Sequence, residues 1–308
     1  MALRDIKQQI QSVNKTAKVT KAMESVSAVK MRKAQEYALS GREYALTIFA
    51  ALKRIVAVSH DDDSVLFESR ASKTGKTGVL LISSDKGLAG SINTNLFKKV
   101  QTFIGENALS KEDLYFIVVG KKARDFVQKK DYTLGHYFEE IGDSSDMPML
   151  GEVSRMITDL YKKGECKAFY SAYTMFVTTT EQHAAIKRLL PISVSEIKSF
   201  IKESVPETGK YSDADKIAID KDPSGYTFEP SSEKILQNLL PYALNVSVYY
   251  SLLEAKASEH SARMVAMKNA TDKAGDVAKL LRRQFNKQRQ ADITAEISEI
   301  TAGMETSR

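Results

Sequence analysis

Two short stretches of the sequence could bind phosphate, and both depart from the known motifs. Gly75–Thr77 reads Gly-Lys-Thr, as at the end of a P-loop, but the glycine that the motif needs five residues earlier is replaced by Arg70. Ser84–Asn93 (SDKGLAGSIN) follows a predicted strand, where a dinucleotide-binding loop would lie. Its Gly87 and Gly90 lack the G-x-G-x-x-G spacing. We interpret this stretch as a tight strand-to-helix turn and keep nucleotide binding as an alternative.

The other residues with catalytic potential are scattered along the chain. The histidines lack metal-ligand spacing: His60, His136, His183 and His260. Asp61–Asp63 is interpreted as a solvated loop that ends a helix. The single cysteine, Cys166, is interpreted as a buried apolar residue and not as a reactive thiol. The spacing therefore predicts no metal site, no cofactor and no active site in this chain.

The charge of the chain is concentrated at its beginning. Net charge is +6 over 308 residues, and the first 33 residues hold eight basic and two acidic side chains, which gives the same +6. A basic protein indicates an acidic partner, such as nucleic acid, anionic lipid or an acidic protein surface. No apolar run approaches the roughly 20 residues of a membrane span, so we expect any membrane attachment to come through partners.

Residues 3–58 predict one long helix, because they contain no proline, a single glycine and many strong helix formers. At about 1.5 Å per residue this helix would be roughly 80 Å long. A 4-3-4-3 spacing typical of a coiled-coil seam runs along its first part: Ile6, Ile10, Val13, Ala17 and Thr20. Farther along, the predicted seam weakens to Met23, Val26 and Ala34.

The other end of the chain has the same character. From Pro241 to Ala302 there is one glycine, and the predicted helix would be roughly 90 Å long. Small residues fill its middle, and a 4-3-4 spacing returns near the end: Ile293, Ile297, Ile300 and Met304. Long helices need a partner. We expect the two terminal helices to form an antiparallel coiled coil whose ends project as a shaft.

The middle of the sequence alternates strands and helices, which is typical of a parallel sheet with crossover connections. The predicted strands cover residues 77–83, 114–120, 167–178 and 185–194, and the predicted helices cover 95–103 and 121–128. The predicted fold class is α/β: a long antiparallel coiled coil of the N- and C-terminal helices with an inserted Rossmann-like domain. The predicted boundaries are 1–60 for the N-terminal shaft helix, 75–230 for a globular α/β domain, the foot domain, and 231–304 for the C-terminal shaft helix. Within the foot domain, 202–230 is predicted to be a long polar loop or mobile hairpin.

Two basic clusters lie on the terminal helices. The first is Lys15, Lys18 and Lys21, at i, i+3 and i+6 on one helix face. The second has no acidic residue within it: Lys279, Arg282, Arg283, Lys287 and Arg289. Either a solvated helix face or a surface for an acidic partner explains these clusters.

Separate motifs near both ends and in the middle resemble the gamma-subunit family of F-type ATP synthases. The segment 20–28 (TKAMESVSA) resembles the family's T-K-A-M-x-x-V-S, and the loop 84–90 (SDKGLAG) resembles S-D-R-G-L-x-G. The C-terminal segments are 257–272 (ASEHSARMVAMKNATD) and 286–297 (NKQRQADITAEI), and the latter is close to N-K-A-R-Q-A-x-I-T-x-E-I. The motifs follow the family order over nearly the whole chain.

The resemblance implies the non-catalytic rotor shaft of a proton-translocating ATP synthase. Its partners would be a hexamer of three alpha and three beta subunits, the epsilon subunit and the membrane ring of c subunits. Ion flow would turn the ring and the shaft, and the shaft would drive the catalytic beta subunits through their states in turn. The chain would be peripheral to the membrane, on the cytoplasmic face of a bacterial plasma membrane or on the matrix side in an organelle.

The resemblance also assigns contact residues on the shaft. Lys18, Lys21, Arg282 and Arg283 would face an acidic loop of the beta subunits, and Met23 lies where the family shaft meets that loop. Further contacts with a beta-subunit loop would come from Arg289, Gln290 and Thr294. Two alternatives stay open at this point: a basic coiled-coil protein that binds nucleic acid, and a nucleotide-dependent enzyme with helical extensions.

Overall fold

The computed structural model describes residues 3–58, 75–139, 147–192, 229 and 231–306. The first half of these residues contains a long helix and a βαβαβ segment: α1 (Leu3–Val58), β1 (Lys76–Ile82), α2 (Ile92–Glu106), β2 (Leu114–Val119), α3 (Lys121–Lys129) and β3 (Leu134–Phe138). The second half ends in a helix of 75 residues: α4 (Met147–Lys162), β4 (Cys166–Phe176), β5 (Gln182–Leu190) and α5 (Ser232–Thr306). Residues 59–74 and 193–228, where His60, the Asp61–Asp63 loop and the predicted polar hairpin fall, lie outside the described residues.

Both long terminal helices are confirmed. The helix α1 covers 56 residues, as its lack of proline and its helix-forming composition predict. The helix α5 begins at Ser232 and continues through Pro241, so the length estimated from Pro241 onward was too short. A proline inside a helix removes one backbone donor. Its neighbours Leu240, Ala243 and Leu244 are buried, and this packing stabilises the helix across the defect. Among the described helices, none is long and apolar enough to cross a membrane.

One five-stranded sheet lies between the long helices in the chain, with the order β3-β2-β1-β4-β5. The first four strands in this order pair in parallel, whereas β4 and β5 pair antiparallel. The turn between β4 and β5 is only five residues long, from Val177 to Glu181, which is too short for the crossover that a parallel pair needs. The expectation of a parallel sheet with crossovers is therefore correct for β1 to β4 and wrong for β5.

Residues of β1 alternate between two apolar layers, as the period of two in a strand requires. Val79 and Leu81 pack with α2 and α3, through buried side chains such as Leu96 and Val127. On the opposite face, Leu80 packs in a second layer. That layer also contains buried residues of α4, α1 and α5, namely Val153, Ile157, Leu52, Leu240 and Leu244. The inner parts of both long helices thus complete the core of the sheet.

Two elements were not predicted from the sequence. The strand β3 is short and contains Gly135, and the helix α4 contains Pro148 at its second position. Proline is tolerated in the first turn of a helix because the N–H it lacks would have no intrahelical partner there. A buried face that includes Val153 and Ile157 then holds α4 against the sheet.

The chain divides into two compact units. One consists of residues 1–29 with 263–308, and the other of residues 30–262. The long helices α1 and α5 each contribute residues to both units. The predicted boundaries of the foot domain, 75–230, stay a prediction.

Candidate functional site

The outer part of α1, which is the part within residues 1–29, has a regular buried seam. It begins at the predicted residues Ile6, Ile10, Val13, Ala17 and Thr20, of which Ile6 and Thr20 are buried and the others half-buried. It then continues at the same 4-3 spacing through Glu24 and Ser27. Of the residues predicted farther along, Ala34 is buried and Met23 is half-buried. The prediction was wrong for Val26, which is 56% exposed, whereas Ser27 is 3% exposed. Continuing the spacing past Thr20 would have identified Ser27 from the sequence.

A matching seam lies on the outer part of α5, which begins at Arg263. Its least exposed residues follow the same 4-3 spacing: Met267, Thr271, Ala274, Ala278, Leu281 and Phe285. The two seams meet at Thr20 and Thr271, whose Oγ1 atoms lie 2.7 Å apart. Two heptad seams that meet at a defined pair of residues are typical of a coiled coil.

The burial pattern agrees with antiparallel pairing. Counted outward from the Thr20–Thr271 contact, antiparallel helices place Leu3 opposite about residue 288 of α5, because both helices rise equally per residue. The exposure of α5 changes at that point. Every residue from 286 to 301 is exposed except the half-buried Asp292. The helix α5 therefore continues beyond the start of its partner.

The apolar residues of this unpaired segment are exposed. Ile293, Ile297 and Ile300 are 46%, 59% and 60% exposed, so their predicted 4-3 spacing does not form a seam within this chain. The side chain of Met304 lies outside the described residues. Exposed apolar side chains at regular spacing on one helix face indicate a surface for another protein.

The predicted basic contact residues lie on the outer parts of both helices. Lys18, Arg282 and Arg283 are exposed. Lys21 is also exposed, but its Nζ lies 2.9 Å from Oε1 of Glu24, one helical turn away. This partner was not predicted from the sequence, and it partly neutralises the first cluster. The Lys21 side chain is 62% exposed and that of Glu24 is 16% exposed, so the Lys21 ammonium group stays accessible to a second carboxylate.

The remaining predicted contacts differ in exposure. Met23 is half-buried, whereas Arg289, Gln290 and Thr294 are exposed on the unpaired segment of α5. The Thr294 hydroxyl donates a hydrogen bond to the Gln290 carbonyl at 2.8 Å. Its oxygen can still accept a bond from a partner.

The loop after β1 places its own polar groups where a doubly wound fold binds phosphate. In such folds ligands lie at the carboxyl ends of the strands, against helix N-termini. Here three backbone amides in the first turn of α3 are already bound. Lys121 donates to Oδ1 of Asp85 at 3.0 Å, Lys122 donates to the Ser84 carbonyl at 3.2 Å, and Ala123 donates to Oγ of Ser83 at 2.7 Å.

The backbone around this loop is closely packed. Gly120, between β2 and α3, has a φ of 93°, and a Cβ atom there would lie 2.3 Å from the Ser83 carbonyl oxygen. Only glycine fits this position. Asn93, in the first turn of α2, donates from Nδ2 to Oγ of Ser84 at 2.7 Å. The loop is therefore a structural turn, as its glycine spacing suggested, and its polar groups bind the protein itself.

The helix α5 crosses the same edge of the sheet. Ser258 and Ser261, both fully buried, donate hydrogen bonds to the carbonyls of Thr174 and Thr179 at 3.0 and 2.7 Å. Thr174 lies near the carboxyl end of β4, and Thr179 lies in the turn that follows it. The carboxyl end of β4 is next to that of β1. Oδ2 of Asp85 lies 3.9 Å from Nζ of Lys256. A segment of α5 thus occupies the crevice at the topological switch point between β1 and β4.

The other candidate groups lack the features of a phosphate-binding, nucleophilic or metal-binding site. Gly75–Thr77 lies at the start of β1 and not between a strand and a helix, which excludes a P-loop. Cys166 is buried, and burial together with the nearby Glu165 raises the pKa of its thiol to about 11. A thiol with so high a pKa is a poor nucleophile. No group of three potential metal ligands occurs among the described residues.

Comparison with known proteins gives one family over the full length of the chain. A family model described as ATP synthase matches residues 2–306. The gamma chain of a sodium-ion-specific ATP synthase from Acetobacterium woodii is 36% identical over 303 residues, which cover 98% of each chain. The ATP synthase gamma chain of Pelotomaculum thermopropionicum is 35% identical over 302 residues, again 98% of each chain.

Solved structures agree on the fold. The rotor of the Euglena gracilis mitochondrial ATP synthase in rotational state 1 contains a chain that is similar with a TM-score of 0.62 and 18% identity, over 94% of this chain and 98% of that chain. A chain in the structure of the central stalk and c-ring of the Tetrahymena thermophila mitochondrial ATP synthase is similar with a TM-score of 0.57 and 23% identity. The match covers 82% of this chain and 99% of that chain. The matched family model and the full-length relatives at 35–36% identity establish that this chain belongs to the ATP synthase gamma chain family.

Proposed function

We propose that this protein is the central rotor shaft of a rotary ATP synthase, which couples rotation of an ion-driven membrane ring to ATP synthesis or hydrolysis. The observation that carries the proposal is the antiparallel pairing of the two chain ends about Thr20 and Thr271, in a chain related to gamma chains over its full length. A shaft must resist twisting, and long paired helices without internal proline in the paired part provide this stiffness.

The surface of the helix pair suits rotation within a sleeve of other subunits. Its exposed side chains include basic residues such as Arg282 and Arg283, and the unpaired segment of α5 carries exposed isoleucines. A basic surface attracts an acidic loop without a fixed interlocking contact. We propose that Lys18, Lys21, Met23, Arg282 and Arg283 meet the acidic loops of the beta subunits. Further contacts to a beta-subunit loop come from Arg289, Gln290 and Thr294.

The partners follow from this role. Three alpha and three beta subunits surround the helix pair, and the epsilon subunit and the c ring bind the sheet-containing unit. The beta subunits carry the catalytic residues, and this chain supplies none. The chain attaches to the membrane through these partners, on the cytoplasmic face of a bacterial plasma membrane or on the matrix side in an organelle.

Reconstitution with purified alpha and beta subunits from the same source tests the proposal. We expect one copy of this chain to enter a complex with three copies of each partner and to restore ATPase activity that shows continuous rotation of a bead attached to the chain. Failure of the folded chain to assemble with these subunits would refute the assignment. Binding to DNA alone does not decide the question, since any basic helix binds DNA in a salt-dependent way.

A further inference from the structure

Three charged side chains lie where α5 crosses the carboxyl edge of the sheet. Nζ of Lys256 is 3.9 Å from Oδ2 of Asp85 and 3.6 Å from Oε2 of Glu259. The side chain of Lys256 is 14% exposed, that of Asp85 is 16% exposed and that of Glu259 is 10% exposed. We call Asp85, Lys256 and Glu259 the crevice charge cluster. It belongs entirely to the unit formed by residues 30–262.

Asp85 connects three elements at once. Its Oδ1 accepts a hydrogen bond at 3.0 Å from the amide of Lys121, the first residue of α3, and its Oδ2 faces Lys256 of α5. Asp85 itself lies in the loop that follows β1. A carboxylate is favoured at a helix N-terminus because the unpaired amides carry partial positive charge. The amide at the start of α3 therefore holds the Asp85 carboxylate in place, independently of the charge that α5 contributes.

The contacts of α5 around the cluster differ in how well they can resist turning of the helix. Ser258 and Ser261 are small, so they allow a close approach of α5 but do not interlock with the sheet. Apolar burial is non-directional and permits sliding. The directional contacts include the two serine hydrogen bonds to Thr174 and Thr179 and the charges around Lys256. Charge pairs at low exposure are screened less by solvent than surface pairs.

We propose that Asp85, Lys256 and Glu259 transmit torque between the sheet and the C-terminal helix. This inference rests on the proposed rotor function and assigns positioning residues to it. The segment of α5 lies at the switch point of the sheet, where a doubly wound fold binds its ligand, and Lys256 provides the positive charge that Asp85 faces. When torque acts on the sheet, the charge cluster and the two serine hydrogen bonds hold α5 in its rotational position.

The test uses the complete ATP synthase in membrane vesicles, with a voltage-sensitive dye that reports pumping of either H⁺ or Na⁺. Asp85→Asn keeps an oxygen for the Lys121 amide and removes the charge, and Lys256→Met keeps the straight side chain and removes the charge. We expect each variant to lower the membrane potential built per ATP hydrolysed by about three- to tenfold, in the range of coupling between contacting residues. Lys256→Arg should restore the ratio.

Two further variants separate torque transmission from general stability. Lys111→Met removes the charge from an exposed ion pair with Asp131 in the same unit and should leave the ratio unchanged. The double variant Asp85→Asn with Lys256→Met should be no worse than the worse single variant, because both substitutions remove one shared interaction. Independent losses that multiply in the double variant would overturn the proposal.

The remaining outcomes are also decisive. A normal ratio in assembled Lys256→Met and Asp85→Asn enzymes overturns the torque role while leaving the rotor function intact. Failure of both single variants to assemble overturns it as well, since the cluster would then serve folding. Absence of the wild-type chain from the complex would instead contradict the proposed function itself.

Discussion

The hydroxyl oxygens of Thr20 and Thr271 lie 2.7 Å apart, although 251 positions separate the residues in the chain. The Thr20 hydroxyl lies 3.2 Å from the Ala17 carbonyl, and the Thr271 hydroxyl lies 2.8 Å from the Met267 carbonyl. Because each hydroxyl has one hydrogen, one threonine donates to the other, and the second donates to the carbonyl in its own helix. A buried polar pair in a coiled-coil seam specifies register, and this pair does so for the two ends of the chain.

Replacement of Thr20 by valine should weaken the helix pair. The substitution removes the hydrogen bond between Thr20 and Thr271, and we expect the free energy of unfolding to fall by about 0.5–1.5 kcal/mol, the net contribution of one hydrogen bond. Urea unfolding of the purified chain followed by circular dichroism measures this change. Thr16→Val is the matched control, because Thr16 is exposed and its hydroxyl bonds only within α1, to the Ser12 carbonyl. An equal loss in both variants would contradict the assigned role of Thr20.

A positive charge at Met23 should impair coupling. In Met23→Lys the new ammonium would form an added ion pair with the acidic loop of a beta subunit, worth about 0.2–1 kcal/mol when exposed. We therefore expect the potential built per ATP hydrolysed to fall roughly 1.5- to 5-fold. Ala22→Lys adds the same charge at the neighbouring, exposed position on a different side of α1. Unchanged pumping per ATP in the Met23 variant, or an equal loss in the Ala22 variant, counts against the predicted contact.

Charge removal at Arg282 and Arg283 should slow assembly. Both are exposed on α5, and long-range attraction to an acidic partner raises the association rate more than the final affinity. We expect Arg282→Gln with Arg283→Gln to lower the rate of association with alpha and beta subunits about three- to tenfold at low salt. The difference from wild type should shrink as salt is added, because salt screens exposed charges.

The control for this variant removes two charges elsewhere. Lys129→Gln with Lys130→Gln changes exposed residues at the end of α3 and lowers the net charge equally. If association slows as much in the control, the effect comes from total charge and not from the α5 cluster. Stopped-flow measurement of light scattering over a series of NaCl concentrations distinguishes the two results.

Cys166 should make the fold sensitive to high pH. Burial raises the pKa of its thiol from 9.0 to about 11, so the unfolded chain loses this proton at lower pH than the folded chain does. Stability from this group is therefore complete below pH 9 and is lost as pH rises to 11, by at most about 3 kcal/mol. Cys166→Ala should remove this part of the pH dependence, as measured by urea unfolding between pH 8 and 11.

The same burial predicts the reactivity of the thiol. At pH 8 the native protein should react with a thiol reagent far more slowly than the urea-unfolded chain, because the thiolate is the nucleophile and the side chain is inaccessible. Rapid labelling of the native chain would contradict the buried position of Cys166.

The long elements were predictable because their patterns are local. The bounds of α1 follow from composition, and β1 and β2 follow from short apolar runs. The helix α4 was missed because Pro148 and Gly151 obscure its periodicity, although proline is tolerated in the first turn. The direction of β5 depends on its short turn after β4 and not on its residue types.

The candidate site was predictable only in part. The basic and apolar positions on the terminal helices could be identified from spacing, but the pairing of Lys21 with Glu24 and the exposure of Ile297 could not. The contact of Thr20 with Thr271 needs the register of two distant helices. Asp85 lies in a motif that the sequence marks, yet its bonds join residues from three parts of the chain, which no local pattern encodes.

The most direct test of the rotor assignment is native mass spectrometry of the tagged chain purified from the membranes of its own host. We predict a complex with ATPase activity that holds one copy of this chain of 34.2 kDa beside three copies each of two larger subunits. A lone chain, or a chain bound only to nucleic acid, would contradict the assignment.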